Sequence, residues 1–173
     1  HKILKPIQGF RFMPHQPYHF WRTFEKYTKF GADWFWLTPH ETRTPTAVWS
    51  GLYFQGYALG LRVTPNIGSY KPCLTVQVFA GQEFKPKTED IHQLHNLLSY
   101  ALGIGIDLSE FYGICDRYPF LKQTREDLKG MHELPFVDTF NAIVFAIALQ
   151  RAGPGRTIQM LSNLARQFGQ CIY

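Results

Sequence analysis

The apolar period of this chain changes near residues 80–90, and that change restricts the fold more than any single motif does. Before it, Ile3 to Arg11, Trp34 to Leu37, Thr46 to Phe54, Tyr57 to Val63 and Leu74 to Phe79 read as strands. Pro39, Pro45, Gly56, Pro65-Asn66 and Gly68 punctuate them. One helix interrupts the series: Pro17 opens it, and Phe20, Phe24 and Tyr27 share a helical face beside Trp21. After the change, apolar residues recur at helical spacing as far as Phe168. Five strand-like pieces around one early helix predict an α+β fold with a mainly antiparallel sheet, followed by helices. The expected division is a sheet domain over 1–86 and a helical segment over 87–173.

Local signals fill in the helical part. Thr88 is the expected N-cap of a helix running to Leu102, with Glu89 and Asp90 placed to favour its dipole. Gly103 is expected to close that helix. Asp107 and Glu110 resemble a capping box for the next helix, and breaks fall at Tyr118-Pro119, Gly130 to Pro135 and Gly153 to Gly155. The last third is a helical hairpin. Phe136, Phe140, Ile143, Val144 and Ile147 make one stripe, and Ile158, Leu161, Ala165 and Phe168 make another. Pro154 between two glycines forbids a single continuous helix, and Gln150-Arg151 stands where the first pattern ends.

Several function classes find no support. No apolar run approaches the ~18 residues needed to span a bilayer, so no membrane partner is expected. Cys73, Cys115 and Cys171 form no CxxC or Cys/His motif and lie in apolar settings, which points to buried thiols and a reducing cytoplasm. His92 and His95 have metal-compatible spacing but no matching carboxylate or thiol, so a solvated helix face is the expectation. No GxSxG is present, and Glu89-Asp90 and Glu126-Asp127 fit the first turns of helices better than acid–base chemistry. No metal, cofactor or catalytic residue is expected in the chain.

The net charge of +5 lies wholly in residues 1–106, because residues 107–173 hold seven basic and seven acidic residues. From Thr139 onward there are three arginines and no acid. Such a balance permits phosphate binding without demanding it.

The hairpin Val137 to Gly169 resembles the opening helices of the helix–hairpin–helix DNA glycosylases, most closely the AlkA-type alkylpurine glycosylases. Asp138 and Phe140 match the pair that opens the family's first helix. Gln150 and Arg151 match its terminal glutamine and the DNA wedge that follows. Phe168 and Gly169 match the aromatic–glycine end of its second helix. Asn141 and Gly153 depart from the family's usual acid and hydroxyl at those places. Upstream, Pro17-Tyr18, the strand Leu74 to Gly81, the helices Ile91 to Leu102 and Leu108 to Cys115, and Leu128-Lys129-Gly130 are similar to the half-TATA-binding-protein sheet domain and the first core helices of that family.

The resemblance implies the N-terminal part of a base-excision-repair enzyme, a monomer acting on double-stranded DNA with damaged bases. Its reaction is hydrolysis of the N-glycosidic bond of a damaged, alkylated purine, by water attack on a sugar carbon stabilised by an aspartate. It also implies that the glycine-rich hairpin and the catalytic aspartate are absent here, so that this chain alone is inactive. The implied DNA-binding residues are Gln150, Arg151, Arg156 and Arg166: Arg151 as wedge, Gln150 facing the groove beside it, and the two others on phosphates. Strict alignment puts Lys26 where the family has a pocket aromatic. Two other classes remain open, a non-catalytic DNA-binding module and a protein-interaction domain of similar layout.

Overall fold

A computed structural model describes residues 3–28, 46–66, 72–135, 137 and 139–169. The order of elements is β1 (Lys5–Phe12), α1 (Phe20–Thr28), β2 (Val48–Phe54), β3 (Tyr57–Asn66), β4 (Cys73–Ala80), α2 (Thr88–Ala101) and α3 (Ser109–Arg117). A 3-10 turn (Pro119–Leu121), α4 (Lys122–Asp127), α5 (Thr139–Leu149) and α6 (Pro154–Phe168) complete the chain. The protein is α+β, with a four-stranded sheet in the order β1-β4-β3-β2, antiparallel at every pairing. Four of the five expected strands are present with ends shifted by up to three residues; the fifth, Trp34 to Leu37, lies outside the described residues.

Alternation dictates which face is buried. Val48, Leu52 and Phe54 of β2, Leu59, Leu61 and Val63 of β3, and Leu74, Val76 and Val78 of β4 all point to one side. Phe10 and Phe12 of β1 join them there. Helices α1 and α2 cover that side, through Phe20 and Phe24 of α1 and Leu94, Leu98 and the following Leu102 of α2. Each such side chain, fully buried, contributes about 1.5–3 kcal/mol. Helix α2 follows the expected boundary at residue 86, yet its apolar face belongs to the same core as the sheet. Between β2 and β3, Gln55 and Gly56 both take positive φ (48° and 85°), as a two-residue turn matched to strand twist requires.

The helix ends differ in detail from the expected ones. The N-cap of α2 is Lys87, one residue before Thr88, and Asp90 reaches back to accept the Lys87 backbone N–H at 2.8 Å. Asp107 accepts the Ser109 N–H at 2.8 Å, so α3 starts on an aspartate turn with Leu108 as cap. At the other end of α2, Gly103 N–H donates to Tyr100 O and Ile104 N–H to Ser99 O, which is the expected glycine closure.

A hydrogen-bonded strap ties the α4 end to the start of α1. His19 N–H donates to Gly130 O at 2.7 Å, Arg22 to Lys129 O at 2.9 Å, and His132 N–H to Thr23 Oγ1 at 3.1 Å. Tyr18 OH donates to Leu102 O at 3.1 Å. Among the described residues no helix is long and apolar enough to cross a membrane. Cys73 and Cys115 are buried free thiols, while Cys171 lies outside the described residues.

Candidate nucleic-acid interface

The α5–α6 hairpin is built around a short break. Helix α5 ends at Leu149, the Gln150 N–H donates to Ile147 O at 3.1 Å, and the Ala152 N–H donates to Leu149 O at 3.3 Å. Between them Arg151 adopts the left-handed region, with φ of 55°. A residue with a Cβ holds that conformation at a cost of roughly 1 kcal/mol, so the surrounding turn imposes it. Gly153 then caps α6, and Pro154 sits at its first turn, where a missing N–H does no harm.

Thr157 fastens the two helices together. Its buried hydroxyl lies 3.2 Å from Ala148 O at the end of α5 and 3.2 Å from Gly153 O at the cap of α6. Gly153 O already accepts the Thr157 N–H at 3.0 Å, so the hydroxyl chiefly serves the Ala148 carbonyl at the α5 end. With Ala148, Leu161 and Ser162 it forms the buried seam of the hairpin. Sequence reasoning passed over Thr157. The available signal was a threonine four residues after the cap, positioned to bond back to the i−4 carbonyl.

The seam is not the stripe expected for α5. Phe140, Ile143 and Ile147 are exposed at 72%, 53% and 62%, whereas Ala148 is the buried residue of this helix. The reason is compositional: Thr139 to Leu149 contains no charged residue, so periodicity cannot tell one apolar face from another. In α6 the expected Leu161 is buried and Ile158 and Ala165 are half-buried, but Phe168 is exposed.

Gln150, Arg151 and Arg156 are brought to the same end of the hairpin, and all three are exposed. Among the described residues neither Arg151 nor Arg156 is held in an ion pair. Arg166 is not brought to them: it lies in the last turn of α6, about 15 Å farther along the axis at the helical rise. The first turn of α6 contains no acid, so its unpaired N–H groups and Arg156 together leave that end positive. Asp138 and Phe136 lie outside the described residues, as does the side chain of Lys26.

The remaining sequence candidates serve structure. The His95 ring stacks on Phe12 with centroids 4.8 Å apart and meets Phe10 edge-on at 5.6 Å, while His92 is exposed. Glu126 pairs with Arg125, which also lies 3.7 Å from Asp116 and 5.3 Å from the Tyr112 ring. Asp90 is held below its ordinary value of 3.8 by the Lys87 backbone N–H and then by the Gln55 side chain. Asp107 is lowered by the Ser109 hydroxyl and then by the Ser109 N–H. Both carboxylates are spent on helix starts. No protein-family model and no curated protein sequence matches the chain.

Proposed function

We propose that the chain is the N-terminal part of an AlkA-like DNA glycosylase, in which a sheet domain resembling half a TATA-binding protein precedes the first helices of a helix–hairpin–helix core. The observation that carries this reading is Arg151. It stands exposed in a left-handed turn between two helices, next to Gln150 and an acid-free helix start. An enzyme that extrudes a base from a duplex leaves a hole in the stack. A side chain fixed at a helical turn can fill that hole, and arginine can also hydrogen-bond the orphaned base. Arg156 and the α6 N–H groups then suit the flanking phosphate, and Arg166 suits one farther along. The uncharged, mostly apolar surface of α5, with Phe140, Ile143 and Ile147 exposed, suits the centre of a larger helical core.

In this reading the parent reaction is hydrolytic release of a damaged, alkylated purine from double-stranded DNA by a cytoplasmic monomer. The present residues bind and open DNA but supply no catalytic group.

The test is binding to a duplex carrying an abasic-site analogue beside the intact duplex. Wild type is expected to prefer the lesion, and Arg151→Ala to remove that preference while leaving most of the affinity for intact DNA. Equal losses on both duplexes would make Arg151 a phosphate contact, as in a non-catalytic DNA-binding module. No affinity at low salt would leave a protein-interaction domain. Base release by the 173-residue chain alone would contradict the assignment of catalysis to residues outside it.

A further inference from the structure

We infer that the outer face of the sheet is a platform for single-stranded nucleic acid. Strand alternation that buries Val48, Val63 and Val76 turns Trp49, Tyr53, Arg62, Gln77, Phe79 and Arg11 to the opposite side. Register aligns Trp49, Arg62, Gln77 and Gly9 in one row across all four strands. The Trp49 and Phe79 rings lie 5.6 Å apart although β3 runs between their strands. A Cβ at Gly60 would sit in ordinary contact with Phe79 Cβ at 3.5 Å and tightly against Leu4 Cδ1 at 3.1 Å, so the glycine leaves room on this face.

Charge decides the occupant. None of the four strands contains an aspartate or glutamate, whereas Arg11 and Arg62 stand on the outer face. Arg62 lies over the Trp49 ring at 5.6 Å, and its buried Nε has no partner. Arg11 donates from Nε to Cys73 Sγ at 3.2 Å, a weak acceptor that leaves the cation uncompensated. Among the described residues no carboxylate pairs with either arginine. A positive surface with aromatic rings and outward Gln and Thr side chains meets the two needs of an unpaired strand, phosphate neutralisation and base stacking. A duplex hides the faces of its bases from such rings. DNA and RNA single strands share this chemistry.

This surface is separate from the α5–α6 hairpin and does not depend on the glycosylase reading. The experiment is fluorescence anisotropy of the 173-residue protein with labelled oligothymidylate and oligouridylate of about 15 nucleotides, the site size of a small domain. The expected result is binding to one or both that weakens steeply with salt, and the tighter of the two names the sugar. Trp49→Ala is expected to weaken it about tenfold, the loss of one stacked base. Tyr53→Ala, at a site 71% exposed, is expected to weaken it severalfold. Arg11→Ala is expected to lower the salt slope by about one. Absent binding at low salt, or unchanged affinity in the Tyr53 and Arg11 variants, overturns the proposal. Those two positions are exposed, so they decide the matter even if Trp49→Ala does not fold.

Discussion

Leu98 of α2 and Ile147 of α5 are both aliphatic side chains on helices, yet Leu98 is buried in the core that the sheet shares and Ile147 faces water. The difference lies in what each helix can cover. Helix α2 has a polar side, with His92, Gln93 and Asn96 exposed, and an apolar side fitted to the sheet. Helix α5 has no charged residue, and among the described residues its seam with α6 runs through Ala148, Thr157, Leu161 and Ser162. Among the described residues, one region is held by a continuous core, and the other has a smaller buried seam fastened by the Thr157 hydroxyl. Local opening therefore costs far less in the hairpin, and segments that insert into partners are drawn from that end of the stability range.

The largest expected effect tests that division directly. Leu98→Ala should destabilise the whole chain by about 2–5 kcal/mol in urea unfolding, through lost burial and the cavity left behind. Leu161→Ala deletes the same atoms from the hairpin and should leave the main transition nearly in place while speeding amide exchange in α5 and α6. Equal shifts of the main transition by both variants would show one cooperative unit, and the comparison would fail.

The two regions were also unequally legible in the sequence. In the sheet, buried and exposed residues alternate in type, so Val48-Trp49 and Val76-Gln77 announce which face each serves. The α+β class, four strands, the buried face of α1 at Phe20 and Phe24, and the glycine closure at Gly103 followed from local pattern. Caps moved by a residue because Lys87 and Leu108 are fixed by the carboxylates of Asp90 and Asp107 reaching back or forward, and not by their own side chains. In the hairpin the break at Pro154 was legible and the orientation of α5 was not, since no charged residue marks a solvent side. The conformation of Arg151 was equally invisible, because nothing in its side chain favours positive φ. The grouping of Gln150, Arg151 and Arg156 at one end follows from the turn, which also leaves Arg166 apart.

Thr157→Val asks how much the single hydroxyl holds. The swap keeps the shape and leaves the Ala148 carbonyl buried without a donor, an expected loss of about 1–3 kcal/mol confined to the hairpin. Faster exchange in α5 and α6 with an unchanged main transition is the predicted reading. A smaller effect of opposite sign is expected at the neighbouring turn. Arg151→Gly should stabilise the hairpin by about 1 kcal/mol, because glycine accepts φ of 55° without a Cβ penalty. It should also abolish any preference for an abasic duplex. A gain in stability coupled to a loss of lesion binding would mark Arg151 as a residue retained for what it contacts.

The mildest effect distinguishes the regions by pH. Helices α2 and α3 start on the carboxylates of Asp90 and Asp107, while the first turns of α5 and α6 contain no acid. Both carboxylates are held below 3.8, so their contribution to stability is complete above that value and is lost as pH falls through the lowered folded values. Asp90→Ala should therefore lower the urea midpoint at neutral pH, and its difference from wild type should shrink as pH falls below 3.8 through the lowered folded value. Exchange at the start of α6, corrected for its intrinsic rate, should show no such pH-dependent loss, because an end left without an acid has no carboxylate to protonate. If acid loosens α6 as much as α2, the hairpin draws its stability from the capped helices after all, and the separation of the two regions is wrong.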